Sequence, residues 1–166
     1  MEPHLYNIKL DLDIKNKLVE AEVSLKYYSK KDNKEEIILY LYYNFNIDHI
    51  DGENIDSYSI ISENIEWNPF TYPAQKVRIK LNESVKEGES VSVQIKYNGI
   101  MEQMSVNRIS KEWVELGLYS NWFPLTENIL DKALFKVKIS LDQDYQVVSR
   151  PVLNEKNGRY IIKQEV

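Results

Sequence analysis

The sequence contains no cysteine and only two histidines, five glycines and five prolines among its 166 residues. Without cysteine there can be no disulfide framework, thiolate nucleophile or cysteine-ligated zinc or iron–sulfur site. His4 and His49 stand outside any H-E-x-x-H motif, so no zinc site of that kind is expected in this chain. The glycines form no G-x-S-x-G elbow, G-x-G-x-x-G loop or P-loop, which argues against a serine hydrolase and a nucleotide-binding protein.

Long apolar runs and basic clusters are also missing. No run of 18 apolar residues occurs, and the opening Met1-Glu2-Pro3-His4 lacks the features of a signal peptide, so no membrane segment is predicted. The chain has 21 Lys and Arg against 26 Asp and Glu, a net charge of −5, which argues against nucleic-acid binding. This composition is typical of a soluble globular domain; it leaves the compartment open, with the cytoplasm favoured.

Alternation of apolar and polar residues dominates the chain. The apolar set occupies even positions in residues 6–14 and odd positions in residues 19–27, which predicts an antiparallel hairpin. Residues 37–43 are apolar or aromatic on both faces, as expected for a covered central strand. Further strands are predicted at residues 47–50, 58–61, 77–81, 91–97, 134–141, 146–148 and 160–162.

Turn residues and the absence of helical periodicity define the fold class. Four glycines lie in the turn dipeptides Asp51-Gly52, Glu87-Gly88, Asn98-Gly99 and Asn157-Gly158. No apolar stripe of helical period continues over three turns, so we predict no long helix and at most a turn near residues 126–131. The prediction is an all-β, two-sheet antiparallel β-sandwich that occupies residues 1–166 as a single domain. Since residues 160–166 still have a strand pattern, we expect this domain to be part of a longer chain.

Carboxylates and tyrosines are the remaining candidates for chemistry. The pairs Asp11/Asp13 and Glu20/Glu22 have the same-side spacing that a glycosidase needs, but they occupy the polar phase of amphipathic strands, where solvation explains them. Twelve tyrosines suggest a carbohydrate platform, yet several lie in apolar strand positions, which favours core packing. A self-standing β-sandwich that binds glycan or protein is the alternative function on these grounds.

Two stretches resemble the amino-terminal domain of the aminopeptidase N family of zinc metallopeptidases, the gluzincins. HLYNIKLDLDI at residues 4–14 is similar to that domain's H-Y-x-L-x-L-x-I strand. WFPLTENILDKALF at residues 122–135 is similar to its F-P-C-F-D-E-P-x-x-K-A-x-F segment, with Phe-Pro, Lys-Ala and the final Phe at matching spacing. The Cys-Phe-Asp-Glu-Pro core and the Asp-Ala-Arg stretch before it are replaced, as in a divergent branch.

The resemblance implies a saddle-like β domain that packs on a catalytic domain further along the same chain. The zinc ion, the catalytic residues and the peptide substrate would belong to that downstream domain, so no catalytic residue, metal ligand or cofactor is expected within residues 1–166. A parent that kept the fold but lost its zinc ligands, and acts as a scaffold, is a further possibility.

The resemblance also implies candidate residues for two roles. The family has a Gln or Glu shortly before the Phe-Pro segment that reaches the free amino group of the substrate, and Glu115 is the nearest candidate here. An interface cut from a larger protein leaves an apolar patch, which we expect around Trp113, Trp122, Phe123 and Leu125.

Overall fold

The chain forms a two-layer β structure in a computed structural model. The structure describes residues 2–67, 70–102, 107–110, 113–117, 120–128, 130–142, 144–148, 152–156 and 159–165. Within these ranges the backbone forms thirteen strands and no α-helix. The predicted all-β sandwich is confirmed, with antiparallel pairing dominant. No helix of the described part is long and apolar enough to cross a membrane.

The strands belong to two main sheets and one small ribbon. They are β1 (His4–Asp13), β2 (Leu18–Tyr28), β3 (Lys34–Tyr42), β4 (Asn46–Asp51), β5 (Ile55–Trp67), β6 (Phe70–Val85), β7 (Ser90–Ile100), β8 (Asn107–Ile109), β9 (Val114–Leu116), β10 (Leu125–Thr126), β11 (Ala133–Ser140), β12 (Val152–Lys156) and β13 (Arg159–Glu165).

The large sheet has the strand order β12-β13-β11-β1-β2-β7-β4. Its β1–β2 hairpin has the predicted phases, since Ile8 lies opposite Val23 and both are fully buried. The β1–β11 pair is parallel, which the sequence did not predict. Both strands therefore begin at the same end of the sheet, where the His4 N–H donates to the Lys132 carbonyl over 2.9 Å.

The small sheet has the order β10-β3-β6-β5, and β3 is an inner strand, as the run at residues 37–43 predicted. Its β5–β6 hairpin is far longer than the segments predicted at residues 58–61 and 77–81. Ile65, Tyr72 and Ala74 are buried in the extensions, but Ala74 and Gln75 are both buried, so the alternation of β6 is interrupted and gives no continuous period-two signal. Strand β5 lies at an edge, where Tyr58, Ile60 and Ile61 are exposed.

The core fills the space between the two sheets with the apolar residues that the alternation placed inward. Apolar layers of this kind interdigitate at the density of a molecular crystal. Tyrosine packing is part of this core, as the sequence favoured: the buried tyrosines among the described side chains are Tyr6, Tyr27, Tyr42, Tyr72 and Tyr97.

Local predictions differ from the structure at a few short segments. The strand predicted at residues 146–148 is wrong, since these residues have no regular structure and Val148 is exposed. Strands β8, β9, β10 and β12 were not predicted, because segments of two to five residues carry too little alternation to stand out. The turn near residues 126–131 is present, closed by the Asp131 N–H and the Asn128 carbonyl over 3.0 Å. The predicted Asn157-Gly158 turn lies outside the described residues.

Candidate functional site

The segment from Ser120 to Ala133, called the bridging segment below, connects the two sheets and carries the Phe-Pro and Lys-Ala pattern. At its start the Asn121 carbonyl accepts a hydrogen bond from the Tyr42 N–H over 2.8 Å. Its centre joins the small sheet as β10, with Leu125 opposite Tyr40. Its end becomes β11 of the large sheet, so the segment holds the two layers together.

Phe123 and Leu125 are buried in the core of the domain. The Phe123 ring meets the rings of Tyr6 and Phe135 edge to face, with centroids 5.5 and 5.2 Å apart. These two members of the predicted interface are therefore covered by their own domain, and this packing accounts for their apolar character. That Phe123 and Leu125 belong to an interface with another domain stays a prediction.

Trp122 and Trp113 keep part of their surface in solvent. The Trp122 ring is half-buried and packs edge to face on Phe123 with centroids 4.8 Å apart, while the Tyr97 hydroxyl donates to the Trp122 carbonyl over 2.7 Å. Trp113 is 44% exposed, and its carbonyl accepts a hydrogen bond from the Ser110 N–H over 3.0 Å. Exposed indole surface at both positions is what an interface requires.

Glu115 lies in the β8–β9 ribbon between two residues that anchor it. Val114 and Leu116 pack against the core, while Glu115 between them is exposed. By register Glu115 is opposite Arg108 on β8. The structure thus presents the candidate carboxylate on the outer face of a short anchored ribbon.

The chain that leads toward this ribbon is fixed at Glu102. The Glu102 N–H donates to the Tyr42 hydroxyl over 3.1 Å, and the Tyr43 hydroxyl donates to the Glu102 carboxylate over 2.8 Å. Burial raises the pKa of Tyr42 well above its ordinary value, so this hydroxyl keeps its proton. The hydroxyls of Tyr42, the last residue of β3, and of Tyr43 therefore hold Glu102 by two hydrogen bonds.

His4 and Asp131 form a pair that the sequence did not reveal. His4 Nε2 lies 3.3 Å from Asp131 Oδ2, and His4 Nδ1 accepts the Tyr28 N–H over 3.1 Å. The imidazole also stacks on Tyr27 with centroids 4.7 Å apart. Burial lowers the pKa of His4, although Asp131 acts in the opposite direction. His4 is thus a neutral imidazole with its proton on Nε2, and both nitrogens are engaged.

The described residues offer no match to a zinc site. His49 Nε2 lies 2.7 Å from Asp51 Oδ2 in an exposed position on β4, and two strands of the large sheet separate it from His4 on β1. Among the residues whose placement is described, no three His, Asp or Glu side chains come together in a way that could hold a metal ion.

Comparison with known proteins gives structural neighbours without sequence relatives. No protein-family model matches the chain, and no curated protein matches its sequence. A two-domain M1 zinc metallopeptidase bound to L-arginine matches 99% of this chain with a TM-score of 0.67 and 15% identity. The M1 zinc metallopeptidase from Deinococcus radiodurans matches 99% with a TM-score of 0.61 and 15% identity, and yeast LTA4 hydrolase in complex with bestatin matches 96% with a TM-score of 0.56 and 16% identity.

The chain has the fold of the amino-terminal domain of M1 aminopeptidases. It spans less than half of the neighbours' length, covering 38% of the two-domain enzyme, 39% of the Deinococcus enzyme and 26% of yeast LTA4 hydrolase. In the M1 neighbours this fold is therefore one part of a larger peptidase. The resemblance seen at residues 4–14 and 122–135 agrees with the M1 fold.

Proposed function

We propose that this chain is the non-catalytic amino-terminal domain of an M1-like zinc metallopeptidase and packs on a catalytic domain of the same chain. The observation that carries the proposal is the M1 fold, which extends over 99% of this chain and accounts for only 38% of the two-domain enzyme. The larger remainder of such an enzyme would supply the zinc ligands and the catalytic residues.

The proposed contact with the catalytic domain centres on Trp113 and on the exposed part of Trp122. Aromatic side chains are enriched in the buried centres of interfaces, because they remove much apolar surface from water with little loss of side-chain entropy. Leu130, which is 86% exposed near the end of the bridging segment, is a further candidate for this contact. Phe123 and Leu125 would support the surface from within the domain.

Glu115 is the proposed ligand for the free amino group of the peptide substrate. A carboxylate held on an anchored ribbon can accept charge-assisted hydrogen bonds from an ammonium group. Glu115 lies between Val114 and Leu116, which both pack on the core. This supports the role, since a site that binds the amino terminus of a peptide needs a fixed backbone.

The first experiment is to sequence the coding region beyond Val166 and to purify the longer product beside the chain of residues 1–166. We expect an H-E-x-x-H motif, one bound zinc and bestatin-sensitive hydrolysis of an aminoacyl p-nitroanilide in the longer product only. A longer product without the motif, or turnover by residues 1–166 alone, would contradict the proposal. A longer product that has the fold but no zinc would identify a scaffold instead.

The second experiment tests the residues in the longer product. Glu115→Gln should raise KM by roughly tenfold, because a charge-assisted hydrogen bond to the substrate is lost. The control is Glu20→Gln on the outer face of the large sheet, which should leave KM and kcat unchanged. If the two variants have equal kinetics, Glu115 has no part in substrate binding.

The alternative, a self-standing binding module, is favoured by one observation, the exposure of Tyr58, Ile60 and Ile61 on the edge strand β5. Exposed apolar edge strands are templates for a further strand from a partner. A tyrosine platform for glycan is less well supported, because five tyrosines of the described part lie in the core. A coding region that ends without a peptidase domain would decide for this module.

A further inference from the structure

A groove of about 610 Å³ lies on the outer face of the large sheet, away from the bridging segment's core contacts. Strands β1, β2, β7 and β11 form its floor, and Leu5 and Leu134, both half-buried, provide apolar surface within it. A volume of this size is in the range of sites that hold small molecules or a few peptide residues. We call it the basic groove for the side chains described next.

Lysines surround the basic groove, although the whole chain carries a net charge of −5. Lys26 on β2 and Lys136 on β11 line it, and the register places them on either side of β1, with Lys136 opposite Asn7. The next row of the same face contains Lys9, Lys96 and Lys138. Positive charge is therefore concentrated at this end of the face.

The two described carboxylates nearest the basic groove, Glu22 and Asp51, each lie close to a basic side chain. Glu22 lies 2.8 Å from the Lys9 ammonium and 3.8 Å from that of Lys96. Asp51 lies on the edge strand β4, opposite Gln94 by register, and its Oδ2 lies 2.7 Å from His49 Nε2. At the other edge β13 brings Lys163 opposite Lys136 and Glu165 opposite Leu134 by register.

Lys26 and Lys136 have no carboxylate within salt-bridge distance among the side chains that the structure describes. The Lys26 ammonium lies 5.2 Å from the centre of the Tyr28 ring, a contact that orients it without neutralising its charge. Both lysines are exposed. Within the described part of the chain, two ammonium groups without a carboxylate partner therefore border the same depression.

Neutral hydrogen-bonding side chains lie between the lysines. Asn7 and Gln94 are exposed in the groove, and the Ser24 hydroxyl donates to the Gln94 amide oxygen over 2.7 Å. This bond occupies the Gln94 amide oxygen, while the Gln94 amide NH2 group is a donor and Asn7 adds both a donor and an acceptor. Amide side chains of this kind match the backbone groups of an extended peptide.

We propose that the basic groove binds a short acidic peptide segment in an extended conformation. Lys26 and Lys136 pair with its carboxylates, Asn7 and Gln94 hydrogen-bond its backbone, and Leu5 and Leu134 contact its aliphatic carbons. The proposal does not depend on the peptidase assignment, since every residue in it belongs to the large sheet of this chain.

The test is fluorescence anisotropy with a fluorescein-labelled penta-glutamate peptide and the 166-residue chain. We expect saturable binding at low salt that weakens as salt is added. The double variant Lys26→Gln/Lys136→Gln should bind roughly tenfold more weakly or worse, because two charge-assisted contacts are lost. The double variant Lys15→Gln/Lys80→Gln makes the same change in net charge in the β1–β2 turn and on the small sheet, and it should bind like the parent.

Further arms separate the peptide from other ligands. Penta-lysine should not bind, and a single-stranded oligonucleotide and vesicles of anionic lipid should bind no more weakly to the Lys26→Gln/Lys136→Gln variant than to the parent. Absence of saturable penta-glutamate binding, or equal weakening by both double variants, would overturn the proposal. So would an oligonucleotide or vesicle that binds more tightly than the peptide and loses affinity in the groove variant. Unfolding curves of both double variants exclude misfolding, since all four lysines are exposed.

Discussion

His4 and Asp131 are separated by 127 residues in the sequence, and their side chains lie 3.3 Å apart. This contact connects the first strand of the large sheet to the bridging segment that carries the Phe-Pro and Lys-Ala pattern. It accompanies the backbone bond from the His4 N–H to the Lys132 carbonyl. Together these bonds fix the parallel alignment of β1 with β11.

The first prediction concerns pH. Burial lowers the pKa of His4 below its ordinary value of 6.5, so the folded chain holds this proton less tightly than the unfolded chain does. The contribution of neutral His4 to the free energy of unfolding is fully present above about pH 6.5. It is lost as the pH falls from there through the folded-state pKa. Protonation would also place a donor at Nδ1, where the Tyr28 N–H now needs an acceptor. Urea unfolding at about pH 7.5 and about pH 5 should show this loss.

Two variants isolate the His4 contribution from that of the carboxylates. His4→Gln should be less stable than the parent near pH 7.5 and should lose less stability on acidification. His49→Gln, which replaces an exposed histidine on β4, is the matched control. If the free energy of unfolding falls by the same amount between about pH 7.5 and about pH 5 in the parent and in His4→Gln, this imidazole does not control acid stability.

The second prediction concerns the Tyr97 hydroxyl, which donates to the Trp122 carbonyl from a buried ring. Tyr97→Phe removes the donor and leaves a partly buried carbonyl oxygen without it. We expect a loss of about 1–2 kcal/mol in the free energy of unfolding, measured with urea. Tyr58→Phe changes an exposed hydroxyl and should stay within about 0.5 kcal/mol of the parent. If Tyr97→Phe has the same free energy of unfolding as the parent, water replaces the hydrogen bond to the Trp122 carbonyl.

The third prediction concerns Gln75, whose amide Nε2 lies within hydrogen-bond distance of the carbonyls of Tyr42, Tyr43 and Phe45. Gln75→Leu leaves these oxygens without their donor and should cost about 1–3 kcal/mol of stability. Gln75→Glu should cost more, because a buried carboxylate would face three carbonyl oxygens. Thermal unfolding checks this order. Gln146→Leu, at an exposed position, serves as the control.

The fourth prediction concerns Asn121, which has φ of 50° and a buried amide oxygen without a hydrogen-bond partner among the described residues. Asn121→Gly and Asn121→Ala both remove this oxygen, but only glycine adopts a left-handed backbone without steric cost. Asn121→Gly should therefore be more stable than Asn121→Ala by about 1 kcal/mol, as measured by urea unfolding. Equal stabilities would indicate that the backbone changes conformation in the alanine variant.

Prediction from sequence succeeded where the pattern is local and failed where the deciding contact is distant. The phases of β1, β2 and β7 follow from period-two alternation, since one face of each strand is buried. The apolar character of Phe123 and Leu125 did not say which residues would cover them, and only the structure shows Tyr6 and Phe135 packed around Phe123. The Glu115 candidate came from resemblance, and its exposed position in a two-stranded ribbon could not be read from three residues of strand.

The sequence by itself determined that this protein is built of strands, which face of each strand is apolar, and that the chain has no cysteine, no G-x-S-x-G elbow and no H-E-x-x-H motif. These properties depend on residue type and on spacing along a few consecutive positions. The tertiary structure decided the parallel β1–β11 pair, the engagement of His4 by Asp131, and the gathering of Lys26 and Lys136 around one groove. Each of these joins residues that are far apart in the chain, and contacts of that kind are selected by the packing of whole sheets, which leaves no local periodic signal.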